Sequence, residues 1–470
     1  METLQRTANR GSVSTGYDID NSLKLERANS EAIAATNSSQ SGNRKTWTFS
    51  TWIKRTEISY NGAFGVNALF YAASSGMQIN SSDKLVIKLY ASGLTGSFTT
   101  SQVFRDTSAW YHIVLTVDTT ESTASNRVKL WVNGQQVTDF DTETYPNLND
   151  EFNFGEAQSA APIRIGNAYW GSSPFSAYIA ETHYLNGTAK QASDFGEYDA
   201  DSGIWIPKEY TDGGYGDIGF YYKFDNASSL GEDSSGEGHD ASALSNITAA
   251  DQSTDTPTNN FATLNPLMAN AGPANYLPIS EGGTKAVNTD AAYKIANSTF
   301  GVTSGKWYWE VKATDVNGVT AIGVTMPNYW DADYTLQGCI YYAQGPQRYN
   351  NASASSFGAT YTDGDIISFA LDMNATPPTM TVYKNNSSQG DIFSGLSING
   401  AGAAFLPPKE NGYFPKVVGY SNNTFECNFG GYTSFSISSA ASDENGYGTF
   451  EYAPPTGYYA LCTKNLAEFG

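Results

Sequence analysis

The stretch from residue 110 to residue 137, W-Y-H-I-V-L-T-V-D-T-T-E-S-T-A-S-N-R-V-K-L-W-V-N-G-Q-Q-V, constrains the fold more than any other part of the chain. Side chains alternate across a strand, so Tyr111, Ile113, Leu115 and Val117 share one face, and Trp110, His112, Val114 and Thr116 share the other. The first face is wholly apolar and calls for a second sheet to cover it. Beyond a polar loop, Val128, Leu130 and Val132 point one way and Arg127, Lys129 and Trp131 the other. Asn133-Gly134 follows, a dipeptide that tolerates positive φ in a tight hairpin turn. Strand, loop, strand and reversing turn make the nucleus of a β-sandwich.

The same logic recurs along the chain. T-W-T-F-S-T-W-I-K-R sets Trp47 and Phe49 on one face, and K-L-V-I-K-L-Y and S-A-Y-I-A-E-T-H-Y-L-N-G-T read as further strands. In the second half, G-K-W-Y-W-E-V puts Trp307, Trp309 and Val311 on one face. G-D-I-I-S-F-A-L-D and M-T-V-Y-K-N-N then repeat the pattern of an apolar strand ending in Asp, a strand and an Asn-led turn. No long stretch has apolar residues at helical spacing, so helices should be few and short. At 470 residues the chain exceeds what one sandwich normally uses. The reading is all-β, two tandem antiparallel β-sandwiches. Its parts are an N-terminal arm (1–16), a first sandwich (17–200), a Gly/Asp/Ser-rich connector with short strands (201–264), a second sandwich (265–440) and a C-terminal extended segment (441–470).

Charge and chemistry exclude several functions. A net charge of −21 repels phosphate backbones, which argues against nucleic-acid binding. No run of about 18 apolar residues could span a bilayer, and the N-terminus lacks the apolar core of a secretion signal. Cys339, Cys427 and Cys462 are odd in number and widely spaced, which suits buried small hydrophobes better than disulfides or a zinc site. Asp225, Asp233, His239 and Asp240 lack the register of a calcium loop and read as a solvated turn. Glycan hydrolysis on such a sheet needs paired carboxylates on one strand. The nearest approach, Glu197-Tyr198-Asp199, is followed by Asp201 rather than Glu, in a turn-like setting. His112, His183 and His239 read as structural, with no triad around them.

The elements A-N-S-E-A-I, N-R-K-T-W-T-F-S-T-W-I-K-R, S-A-W-Y-H-I-V-L-T-V-D and R-V-K-L-W-V-N-G-Q-Q-V resemble a laminin-G or pentraxin-type domain of the concanavalin A-like jelly-roll superfamily. That resemblance implies an adhesive, lectin-like role. It also implies, in some members, calcium at the rim, with no ligand set that carries over to this chain, so no cofactor is required. G-K-W-Y-W-E-V, A-I-G-V, D-G-D-I-I-S-F-A-L-D, T-V-Y-K-N-N and F-P-K-V-V through F-E-C-N-F-G are similar to the SPRY domain, which implies recognition by loops at one edge and no catalysis. The tandem order, joined by D-T-P-T-N-N-F, resembles virion proteins of marine bacteriophages of tail-fibre type. It implies a particle-surface or tail location, synthesis in the host cytoplasm, and a homo-oligomer, a trimer by analogy with fibres. The implied partners are a host surface glycan or protein and, through the N-terminal arm, other virion proteins. A protein that mainly decorates capsid or tail is the alternative; a secreted lectin and a glycan depolymerase are disfavoured.

Exposed aromatics are the functional lead. Tyr329 and Trp330, with Arg348 and Tyr349, are flanked by Pro327, Gly345 and Pro346, which points to surface loops on the second sandwich. An arginine among tyrosines offers stacking and bidentate hydrogen bonds together. Tyr169 and Trp170 are the counterpart on the first sandwich. The polar arm, which lacks strand periodicity, is expected to attach the protein to its particle. Deleting residues 1–16 should leave thermal unfolding nearly unchanged and abolish incorporation; normal incorporation contradicts this.

Overall fold

The computed structural model describes residues 16–35, 42–58, 66–155, 162–168, 173–267, 276–326, 338–345, 347–350, 353–394, 397–398, 405–406 and 412–470. Two compact units divide between Thr258 and Asn259.

Strands of the first unit are β1 (Ser22–Leu25), β2 (Ala32–Ala34), β3 (Thr46–Arg55), β4 (Val66–Ala72), β5 (Ser75–Asn80), β6 (Lys84–Tyr90), β7 (Leu94–Val103), β8 (Tyr111–Asp118) and β9 (Val128–Val132). They continue as β10 (Gln135–Gln136), β11 (Phe140–Thr144), β12 (Arg164–Ile165), β13 (Ala177–Asn186), β14 (Gly196–Tyr198), β15 (Trp205–Pro207), β16 (Phe220–Tyr222), β17 (Ala243–Ser245) and β18 (Gln252–Ser253). Among the described residues one sheet runs β10-β9-β8-β3-β13-β1-β18, with β16 on β13, and the other runs β11-β7-β6-β5-β4-β12-β2-β17. The core lies between them. Phe49 of the first sheet stacks on Phe70 of the second at 3.9 Å, and Phe154 packs against both Phe70 and Trp47. Such ring contacts add to the large apolar area each aromatic removes from water.

The nucleus forms as its alternation predicts. Leu115 faces Leu130 and Ile113 faces Val132 in the β8–β9 register, and Ile113, Leu115, Val117, Leu130 and Val132 all enter the core. Asn133 and Gly134 take φ of +47° and +76°, turning β9 into β10. The opposite face of this sheet is covered as well: Val114, Trp131 and Leu185 are buried with Phe195, Tyr210, Tyr215 and Tyr221.

That cover changes the reading of the connector. Residues 201–258 are part of the first unit: β16 pairs with β13, β17 with β2, and β18 with β1. Composition suggested a linker because Gly, Asp and Ser dominate, yet two of those Asp side chains neutralise lysines buried on the sheet. Lys54 of β3 meets Asp255 at 2.6 Å with both side chains inaccessible to solvent, and Trp110 donates to the same carboxylate at 3.1 Å. Lys24 of β1 meets Glu31 at 3.0 Å and Asp251 at 2.8 Å. The turn at Asp225–Asp240 is held by Asp233, which accepts from the backbone of Tyr221, Ser235 and His239.

In the second unit, the strand Lys306–Val316 lies between Ile366–Asp372 and Asn423–Asn428. Trp307, Trp309 and Val311 enter the core together, and Trp309 stacks on Phe369 at 5.1 Å. A second sheet has Val319–Thr325 between Cys339–Tyr342 and Phe414–Tyr420. Asn385 and Asn386, at φ +46° and +65°, make the Asn-led turn. The C-terminal segment departs from a purely extended path. Tyr459–Ala460 pairs parallel with Lys306–Val316, and the chain then forms a helix, α1 (Thr463–Phe469). Buried Glu310 anchors the approach to it by accepting from the backbone N–H groups of Glu451 and Tyr452, each at 2.9 Å. All three cysteines are buried and unpaired.

Removing one partner of a buried ion pair strands the other charge, at a cost of roughly 3–5 kcal/mol. Asp255→Asn should therefore lower stability to urea by about that amount, and Lys54→Met combined with Asp255→Leu should lose much less. Equal losses would mean that the pair is not what seats residues 201–258.

Candidate functional site: a groove beside the β14–β15 ribbon

Strands β14 and β15 form a separate two-stranded ribbon in which Tyr198 faces Trp205 and Gly196 faces Pro207. Three contacts seat it on the outer face of the first sheet, at the β9–β10 end. The Trp205 indole N–H donates to His112 Nδ1 at 3.0 Å. The Tyr198 hydroxyl donates to the Asn133 carbonyl at 3.2 Å and accepts from Gln135 Nε2. Tyr198 and Trp205 also meet edge to face at 4.9 Å.

Two glycines make room for the indole. A Cβ on Gly134 would come within 2.3 Å of the Trp205 ring, and one on Gly196 within 2.5 Å. Gly134 also needs its left-handed φ, so the N-G turn serves both the hairpin and the ring. His112 fixes the indole from below. Indole is a donor only, so His112 Nδ1 must accept, and its Nε2–H then donates to Ser50 Oγ at 2.9 Å. The imidazole lies stacked on Trp52 at 4.7 Å. Burial, with a smaller effect of nearby His183, pulls the His112 pKa down to about 3, so the ring is neutral at ordinary pH. Burial also lowers the pKa of His183, against the opposing pull of Glu181 at 3.8 Å; its ring is stacked on Tyr221 at 4.0 Å and bonded to the Tyr215 hydroxyl.

The ribbon, the Asn133-Gly134 hairpin and the short turn Ala192–Asp194 enclose an open groove of about 370 Å³. Its lining is Trp131, Gly134, Gln191, Ala192, Ser193, Gly196, Glu197, Tyr198, Trp205 and Lys208. Trp131 is nearly buried, Trp205 is half-buried and Tyr198 is 47% exposed. A rigid aromatic wall beside a few polar side chains is the usual make-up of a small-molecule site, and the volume falls at the low end of the range of roughly 300–1,000 Å³. It can stack against the C–H face of a ring while its amide, hydroxyl, carboxylate and ammonium groups meet hydroxyls at the rim.

None of the residues singled out in the sequence for binding is among the described residues that line this groove. Tyr329, Trp330, Tyr169 and Trp170 lie outside the described residues. Arg348 and Tyr349 are on a strand, Gln347–Asn350, and not on a loop; it pairs with Cys339–Tyr342 on one side and Ser353–Ser356 on the other. Gly345 belongs to the turn before that strand, so it starts pairing instead of breaking it. Neighbouring positions on a strand face opposite ways, so the two side chains do not form one platform. Arg348 donates to the Ile392 carbonyl at 2.6 Å and to Ser355 Oγ at 2.9 Å, and Tyr349 packs edge-on against Tyr342. The second unit does hold a cavity of about 420 Å³, lined by Val316, Ala343, Gln344 and residues 360–363. Its aromatic, Tyr361, is buried, with its hydroxyl donating to the carbonyls of Thr320 and Tyr341. Among the described residues, no group of three or more His, Cys, Asp and Glu side chains is arranged to hold a metal ion, and no helix is long and apolar enough to cross a membrane.

Sequence reasoning missed the groove because E-Y-D-A-D-S-G-I-W reads as turn and linker. The available signal was Tyr198 and Trp205 set on either side of a Gly-containing turn, the spacing of a cross-strand aromatic pair.

A histidine held neutral by burial stabilises the fold fully above its unfolded pKa of about 6.5, and less as pH falls toward its folded value, because only the unfolded chain then takes the proton. Stability to urea should therefore drop between pH 7 and pH 5 by a larger amount in the wild type than in His112→Asn, which cannot titrate. Identical pH slopes would contradict a neutral, buried His112 beneath Trp205.

Comparison with known proteins accords with this architecture. Residues 27–193 match Laminin_G_3, of the concanavalin A-like lectin/glucanases superfamily, and residues 306–432 match the SPRY domain. Comparison with curated proteins gave no match. Among solved structures, the SPRY domain of human HERC1 is 21% identical, over 35% of this chain and 96% of that one, with a TM-score of 0.28. A second human SPRY domain is 18% identical, over 30% of this chain and 89% of that one, with a TM-score of 0.23. A Bacteroides ovatus protein described as a candidate carbohydrate binder is 15% identical, over 48% of this chain and 59% of that one, with a TM-score of 0.32. The chain is nearly all β and carries a concanavalin A-like domain followed by a SPRY domain, each matched over part of its length.

Proposed function

We propose that this is a non-enzymatic adhesion protein that holds a glycan in the groove beside the β14–β15 ribbon. The single observation that carries the reading is the fixed aromatic wall: Trp205, locked by His112 and cleared by Gly134 and Gly196, with Tyr198 set edge-on against it. Its orientation is set before any ligand arrives, so little ordering entropy is lost on binding. Glycoside hydrolysis uses a pair of carboxylates across the scissile bond, and Glu197 is the one carboxylate among the described residues that line the groove. That favours binding over cleavage.

The setting we propose is the surface or tail of a virion, with the glycan on the host cell, attachment through residues 1–16 and assembly as a homo-oligomer. The support for this part is the order of the segments along the chain, a concanavalin A-like sandwich, the D-T-P-T-N-N-F phrase and a SPRY-like sandwich.

Binding of the purified protein to an oligosaccharide panel and to isolated bacterial surface glycan tests the reading. Trp205→Ala should weaken the interaction roughly tenfold or more, the effect of truncating a central aromatic anchor, with thermal unfolding still cooperative. Unchanged glycan binding by a folded Trp205→Ala protein would move the site away from the ribbon.

A further inference from the structure

The charges around the groove bear on which glycans it takes, an inference that rests on the groove being a sugar site. Residues 190–212 supply most of the lining and carry two lysines, Lys190 and Lys208, against six carboxylates, Asp194, Glu197, Asp199, Asp201, Glu209 and Asp212. Lys190 is already committed, at 2.6 Å from Asp212 and 3.7 Å from Asp194. Lys208 donates to the Ser193 carbonyl at 3.3 Å. Glu197, exposed at the rim, has no side-chain hydrogen bond or ion pair among the described residues.

We propose that the groove selects uncharged hexopyranose units and excludes sugars bearing carboxylate, sulfate or phosphate. An anionic ring held in the groove would meet the exposed Glu197 carboxylate of the lining itself, a like-charge repulsion that salt screens over about 8–10 Å. The whole chain, at −21, adds a field of the same sign. A neutral hexopyranose meets neither penalty. Its apolar C–H face suits the indole, and its hydroxyl donors suit Glu197, since hydrogen bonds to a carboxylate are stronger than neutral ones. Glu197 is thus the specificity-determining residue of the groove.

The test compares hexasaccharides of glucose and of mannose with a hexasaccharide of galacturonic acid, by calorimetry at low and high salt. A neutral hexasaccharide should bind with an affinity that changes less than about twofold with salt, because no phosphate-like or carboxylate charge is screened. The uronate should not bind. Glu197→Lys, which reverses the charge at the rim, should gain salt-sensitive uronate binding; if it misfolds, Glu197→Gln, which removes that charge with little change of shape, should still relax the exclusion of the uronate. Uronate binding by the wild type, lost at high salt, would overturn the proposed selectivity and leave the glycan reading standing. Uronate exclusion that persists in a folded Glu197→Lys or Glu197→Gln protein would overturn the electrostatic cause. Binding of neither sugar type, with Trp205 fluorescence unchanged, would overturn the glycan reading itself.

Discussion

Two lysines buried on the outer face of the first sheet set the condition that the rest of the unit satisfies. Lys24 and Lys54 have almost no solvent access, and an isolated ammonium in such a place costs several kcal/mol. Their carboxylates come from Glu31, Asp251 and Asp255. Two of these three lie some 200 residues from the lysines in sequence, so the chain after β13 must return over the sheet to deliver them. In returning it adds β16 and β18 to that sheet and β17 to the other, and covers Val114, Trp131 and Leu185. The β14–β15 ribbon is laid down along this path. The groove is what remains open where the cover meets the β9–β10 hairpin.

The groove's rigidity has the same origin. Tertiary cover buries His112 and keeps it neutral, and a neutral imidazole can accept from an indole where an imidazolium could not. The indole is then held by a chain of contacts from Ser50 through His112 to Trp205. Glycines at 134 and 196 are required by the ring that lies against them as much as by their own backbone. In the proposed reading recognition and stability share residues: the burial that keeps His112 neutral also orients the indole of the groove.

Strand alternation carried much of the architecture into plain view. The β8–β9 nucleus, the N-G turn, the Trp307/Trp309 face and the Asn385-Asn386 turn are local patterns, and local patterns are legible in one sequence. Cover of the first sheet's outer face was not, because it depends on ion pairs such as Lys54 with Asp255, whose partners look like ordinary linker residues. Arg348 and Tyr349 show the converse: neighbouring Gly and Pro suggested a loop, while pairing on both sides made a strand. Of the groove, Trp131 and Gly134 belong to the legible nucleus. Tyr198 and Trp205 become a site only when the ribbon folds onto His112, a contact that joins residues 93 positions apart.

The most direct test of the groove as the recognition site is an NMR titration that follows the Trp205 indole N–H. In the free protein this proton should exchange slowly, being bonded to buried His112. Adding a neutral hexasaccharide should shift it together with the backbone amides of Gly134, Gly196 and Tyr198, while amides of residues 360–363 in the second unit stay fixed. Saturable shifts confined to residues 360–363, or a glycan that binds without moving the Trp205 resonance, would contradict the account.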